Sequence, residues 1–185
     1  MYGHSMDSFI TRDFAAAYGD ELNGIILYGS SGTWPGGEEA EKAIQKICDE
    51  GGAKRSDPEV ARQLMGWMFA RSSEGVKLGN EWICSDPYVQ KDHAADPFDA
   101  FSKPIQMLLD ITGPAWAVST TSQATRTLWA STEEASMRWL IDSGHEVTTK
   151  LYSGYRHEIH NDKDIKGEIA DGMIAFLDAH LPKKA

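Results

Sequence analysis

Apolar residues between Met6 and Tyr18 recur every three to four positions. Phe9, Ile10, Phe14, Ala17 and Tyr18 would share one face of a helix, with Asp7 in its first turn and Gly19 as a left-handed stop. Gly24-Ile25-Ile26-Leu27-Tyr28-Gly29 changes the pattern. A short apolar run between glycines predicts a strand buried on both faces, as in a parallel sheet. Residues 30–37 are polar and turn-rich, and helices and loops follow to about Thr112. Ala40, Ile44, Ile47 and Cys48 form one stripe, ended by Gly51-Gly52. Asp57-Pro58-Glu59 opens a helix carrying Val60, Leu64, Met65, Trp67 and Met68. Asn80–Cys84 reads as a short helix or turn, Asp86-Pro87 as another start, and a last stripe runs from Pro104 to Ile111.

Beyond Gly113-Pro114 the signal thins. Pro114–Val118 is a short strand candidate, and residues 119–125 are polar without a period. Ser131–Ser143 reads as helix, and Val147–Tyr152 alternates like a strand near a sheet edge. Asn161–Asp164 would cap a final helix carrying Ile165, Ile169, Met173, Phe176 and Leu177, with Lys183-Lys184 past its end. The expected class is α/β, in three parts: 1–29 as helix and buried strand of a core, 30–113 as a helical cap insertion, and 114–185 returning to the core.

Composition narrows the partners. The 185 residues are 41% hydrophobic and 25% charged, ordinary for a globular chain with a core. Net charge is -10, from 18 Lys+Arg against 28 Asp+Glu, which disfavours nucleic acid and anionic membranes. No apolar run reaches membrane-spanning length. The first residues lack the charged and apolar regions of a signal peptide, so the expected location is cytoplasmic. Cys48 and Cys84 have no metal-ligand spacing and read as free thiols.

Two short stretches carry chemistry. Gly3-His4-Ser5-Met6-Asp7 reads as a tight turn with Ser5 at its apex, feeding straight into a helix. Small residues let a chain reverse sharply and lift a serine hydroxyl clear of its surroundings. Gly154-Tyr155-Arg156-His157-Glu158 would present His157 just past a strand. The three-residue spacing of His157 and His160 suits two metal ligands on one helical face. No His-Glu-x-x-His motif or cysteine–carboxylate cluster accompanies them, so neither a metal nor a cofactor is expected. Met65, Trp67, Met68, Phe69 and Trp82 are candidates for a pocket taking an apolar chain as well as for plain core.

Gly3-His4-Ser5-Met6, the helix ending Tyr18-Gly19-Asp20, and Gly24-Ile25-Ile26-Leu27 together resemble the α/β-hydrolase superfamily. The nearest branch is that of lysophospholipases, monoacylglycerol lipases and serine aminopeptidases. Leu151–Glu158 resembles that branch's histidine loop, with Ser153 where proline is usual. The stretch around Trp82, Ser85-Asp86-Pro87 and Ala95-Asp96-Pro97 resembles its helical cap. The resemblance implies a serine hydrolase acting on small-molecule or lipid esters. Ser5 would be nucleophile, His157 the base, and the Met6 backbone N–H one oxyanion donor.

Three departures follow from the same resemblance. The family places five strands and a second oxyanion donor before the serine turn, so the fold should be partial. The strand leading into Ser5 and the partners of Gly24–Gly29 would be missing, leaving an open sheet edge suited to self-association. Asp7 stands where the family has glycine. The catalytic acid is unassigned: residues 123–127 occupy its place, and Asp110, Glu133, Glu134 and Asp142 fall on expected helices. One codon choice for Thr125–Glu133, read from the third base, gives Lys-Asp-Pro-Val-Gly-Glu-Tyr-Gly, which resembles the family's acid segment. The expectation is a reading-frame slip over residues about 120–134, which then have no selected fold, and an impaired or non-enzymatic fragment is the alternative function.

Overall fold

The computed structural model describes residues 1–30, 37–69, 80–99, 102–111, 127–131, 141 and 146–181, with the backbone alone for 64–69 and 127–131. Its centre is a parallel sheet of four strands: β1 (Tyr2–His4), β2 (Ile25–Tyr28), β3 (Thr127–Ser131) and β4 (Glu146–Thr149). Their spatial order is their order in the chain. In register, Gly3 stands opposite Leu27, Leu27 opposite Ala130, and Ala130 opposite Thr149.

The β2 run is buried along its whole length, as its unbroken apolar sequence predicts. Ile26 and Tyr28 pack with Ile159, Ile165, Ile169 and Phe176, under the last helix, α6 (Lys166–His180). Alternation turns Ile25 and Leu27 to the opposite face, where α1 (Met6–Tyr18) lies. There Phe9 joins Ile44 of α2 (Gly37–Ile47) with Ile105 and Leu108 of α5 (residues 105–111) in a second core.

Between β2 and β3 runs a helical insertion: α2, α3 (Pro58–Phe69), α4 (Pro87–Ala95) and α5. Its sequence signals hold. Gly51, at φ 88, ends the α2 stripe in the left-handed region. Asp57 Oδ1 accepts the N–H groups of Glu59 and Val60, and Asp86 Oδ1 accepts that of Tyr88. Ile105 N–H donates to Arg55 O and Gln106 N–H to Ala53 O, which closes the insertion on itself.

Several expectations are corrected. A strand, β1, does lead into Ser5, and β2 has partners on both sides. Thr127–Ser131, expected to lack a fold of its own and to turn helical at Ser131, is a strand. Gly19 is right-handed, at φ -58, and opens a 3-10 turn over Gly19–Glu21. The final helix starts at Lys166 without a side-chain cap. Asp162 Oδ1 instead accepts from Asp164 N–H, one turn earlier. Pro114–Val118, most of Ser131–Ser143 and Lys183-Lys184 lie outside the described residues.

The α1 boundaries match the expectation, but the face does not. Ser8, Phe9, Thr11, Arg12 and Ala15 are buried. Met6, Ile10, Phe14 and Tyr18 are 39%, 46%, 37% and 52% exposed. The reason is steric. A Cβ on Gly3 would meet Asp7 O at 2.4 Å and Thr11 Oγ1 at 2.5 Å, so helix and strand are nearly in backbone contact. Small side chains such as Ser8, Thr11 and Ala15 fit that gap, and Ile10 and Phe14 do not.

Leu108 is fully buried where α1, α2 and α5 meet. Leu108→Ala should cost about 2–5 kcal/mol in urea unfolding. The exposed Ile10→Ala should change it by less than about 0.5 kcal/mol.

Candidate active site

All four strands point their C-terminal ends the same way, so the segments after them share one rim. Ser5 follows β1 directly and adopts φ 55, ψ -121. It is the one non-glycine residue at positive φ among the described residues. A side chain held there is strained and persists because its surroundings fix it. Ser5 N–H donates to Tyr28 O at 3.2 Å, tying the turn to the end of β2. From within, the buried Ser8 hydroxyl lies 2.5 Å from Ser5 O and 2.7 Å from Ser30 Oγ. Met6 is the first residue of α1, so its N–H has no acceptor within the helix. Asp7 is exposed in the same first turn.

His157 comes to the same strand end from the other side of the chain. A Cβ on Gly29, at φ 57, would meet the His4 ring at 2.8 Å and His157 Cε1 at 3.1 Å. Only glycine fits both that dihedral and that space. The His4 and His157 rings lie 4.6 Å apart, centre to centre, and His4 stacks on Tyr28 at 4.4 Å. His160 meets His4 edge-on at 5.0 Å. The insertion supplies the other wall, with the Trp82 ring 5.3 Å from His157. It also holds the backbone: His157 N–H donates to Trp82 O at 3.4 Å and Glu158 N–H to Ile83 O at 2.6 Å. Arg156 Nη1 donates to Glu81 O, and the Ser85 hydroxyl donates to Asp162 Oδ2.

The electrostatics follow from this packing. Burial lowers the His157 pKa to about 4, helped by repulsion from His4 and His160. Burial also lowers His4 and His160 and pushes the Tyr28 phenol up. At neutral pH the cluster is therefore uncharged.

Ser5 and His157 thus flank the end of one strand, but no hydrogen bond joins their side chains among the described residues. No carboxylate among them bonds to the His157 ring. Asp110 is described, and its carboxylate accepts from Gln106 on its own helix. Glu133, Glu134 and Asp142 lie outside the described residues. So do the side chains of Met65, Trp67, Met68 and Phe69. No group of three or more His, Cys, Asp and Glu among the described residues is placed to hold a metal. A cleft lined by Ser85, Asp86, Gly154, Tyr155 and Asp162 lies beside the histidine loop, and neither Ser5 nor His157 lines it. The roles of His4, Tyr28, Ser8 and Ser30 had no signal in the chain beyond their closeness to the two motifs and to Gly29.

No family model and no curated protein matches the sequence. Solved structures do. A highly thermostable carboxyl esterase from Bacillus coagulans, in complex with glycerol, superposes with a TM-score of 0.83 at 34% identity, over 98% of this chain. The chain has an α/β-hydrolase fold. It is related to that carboxyl esterase and spans 64% of its length. A lipase in its open form matches at TM-score 0.74 and 24% identity, over 96% of this chain and 64% of its own. A monoacylglycerol lipase from Paleococcus ferrophilus matches at 0.58 and 16%, over 97% of this chain and 67% of its own. At those identities the last two support the fold alone. No described helix is long and apolar enough to cross a membrane.

The buried imidazoles make stability depend on pH. Unfolded, His157 takes a proton near its ordinary 6.5, and folded only near 4. Its contribution is full above 6.5 and declines as pH falls towards 4. Denaturant midpoints should therefore fall between pH 7 and pH 5, and His157→Gln should flatten that dependence.

Proposed function

We propose that this chain is a serine hydrolase acting on carboxylic esters by acyl-enzyme chemistry, with Ser5 as nucleophile and His157 as base. The observation that carries the reading is the backbone of Ser5: a positive-φ serine on a strand-to-helix turn, at the sheet rim where His157 packs. The strain has a use if it lifts the hydroxyl towards substrate. His157 would take the Ser5 proton as the hydroxyl oxygen attacks the acyl carbon, then return it to the leaving alkoxide. The Met6 N–H, at the positive end of α1, would donate to the developing oxyanion. Water attacking the acyl-serine, again with His157 as base, would release the acid.

The substrate class we favour is a small or lipid ester such as monoacylglycerol or lysophospholipid, met in the cytoplasm. Likeness to a carboxyl esterase supports the ester, and Trp82 beside His157 supports an apolar acyl group. The parts 1–29, 30–113 and 114–185 would act as core, cap and core.

A second reading is a form with impaired turnover. It is favoured by the His157 ring having no carboxylate partner among the described residues, a loss worth about 10⁴ in rate where it has been measured. Asp7 adds a negative charge beside the oxyanion position.

A fluorophosphonate probe should label the chain and spare Ser5→Ala. Hydrolysis of a short-chain aryl ester should likewise vanish in Ser5→Ala and His157→Gln. Equal signals from the chain and Ser5→Ala would end the proposal. With His157 at about 4, the acid limb of kcat/KM should lie well below the ordinary histidine range. Activity should persist at pH 5.5 and be lost as pH falls further. Asp7→Gly should raise kcat.

A further inference from the structure

His4 stands between the glycine that seats α1 and the serine of the turn, and the chemistry proposed for Ser5 and His157 does not use it. Its ring is nevertheless closely packed. It stacks on Tyr28 at 4.4 Å with an interplanar angle of 25°. It lies 4.6 Å from the His157 ring and meets His160 edge-on at 5.0 Å. Gly29 leaves the space: a Cβ there would lie 2.8 Å from both Cδ2 and Nε2 of His4. Nε2 itself is 3.4 Å from His157 O. A carbonyl oxygen only accepts, so the two are hydrogen-bonded when Nε2 carries the ring proton.

The acceptor is half of a peptide unit whose other half is also bound. His157 O and Glu158 N–H belong to one trans peptide and point opposite ways. The Glu158 N–H donates to Ile83 O of the insertion at 2.6 Å. His4 therefore takes one side of this peptide and the insertion takes the other. The same plane contains the His157 Cα, the root of the imidazole. Charges around His4 come from several elements. Burial lowers its pKa and outweighs Glu158 beyond the histidine loop and Asp7 on α1, which both favour its protonation. A neutral His4 puts no cation beside His157 at the moment His157 takes a proton.

We propose that His4 is a positioning residue for His157: its Nε2–H, donated to the His157 carbonyl, holds the base at the rim where Ser5 stands. The inference rests on the reading of Ser5 as nucleophile and His157 as base. Misplacing a reacting group by about 1 Å costs on the order of 10² in rate, so loss of this bond acts on kcat.

The first test is read on the parent chain. With its histidines labelled by nitrogen-15, long-range proton–nitrogen NMR spectra at neutral pH should show His4 as the Nε2–H tautomer. The Nδ1–H tautomer leaves Nε2 nothing to donate and overturns the proposal. Two variants then separate the bond from the bulk. His4→Phe keeps a stacking ring and removes the donor. His4→Gln removes the ring and returns an amide N–H at similar reach. On a short-chain aryl ester, His4→Phe should lower kcat at least tenfold with KM unchanged, and His4→Gln should recover most of that loss. Hydrogen exchange at the Glu158 amide should quicken in His4→Phe and stay near the parent rate in His4→Gln. Equal losses in both variants overturn the proposal, because ring packing then accounts for the effect. Parent-like kcat in His4→Phe, beside an activity that Ser5→Ala abolishes, overturns it too and leaves the Ser5 reading standing. If no turnover depends on Ser5, that reading fails, and the tautomer and the exchange rates decide the part played by His4.

Discussion

The hydrogen bond from Ser5 N–H to Tyr28 O decides where everything else at the rim can go. It fixes a strained residue to the end of β2, a strand that is buried along its whole length. That end is crowded from two sides. Gly3 lets α1 come down almost onto β1, and Gly29 lets His4 and His157 come together over the chain. A methyl group at either glycine would push apart the elements that the bond holds together. The unusual dihedral of Ser5 is thus over-determined by its neighbours, the condition under which such strain survives.

The helical insertion is part of the same arrangement. It reaches the histidine loop through the Trp82 and Ile83 carbonyls, which accept from the His157 and Glu158 N–H groups, and through Glu81 O, which accepts from Arg156. Backbone bonds restrict the position of His157 more tightly than one side-chain contact would. The Trp82 ring then removes water from one side of the imidazole. Position and low basicity of His157 have one cause: the loop is pressed between the insertion and β2.

What could be read from the chain was whatever is local. The limits of α1, the buried run of β2, the caps at Asp57 and Asp86 and the glycine stop after α2 all depend on residues a few positions apart. So does the turn at Ser5. The buried face of α1 depends instead on how closely β1 approaches, which no period encodes. Tyr2–His4 is too short to show alternation. Thr127–Ser131 mixes polar and aromatic residues, and only its place between β2 and β4 makes it a strand. The packing of His4 on Tyr28 and His157 joins residues from opposite ends of the chain, so it emerges only with the sheet.

Chain-order strands separated by a long insertion also shape how the molecule assembles. Tyr2 meets Ile26 after a short excursion through α1, whereas Ile25 meets Leu128 only after the whole insertion has been spanned. Closing a loop of about 100 residues costs more entropy and more time than closing one of about 20. The β1–α1–β2 unit, with the strained serine inside it, can therefore form early as a local nucleus. The histidine can arrive only when the far half of the chain has found its register, so the two sides of the rim are made at different moments of folding.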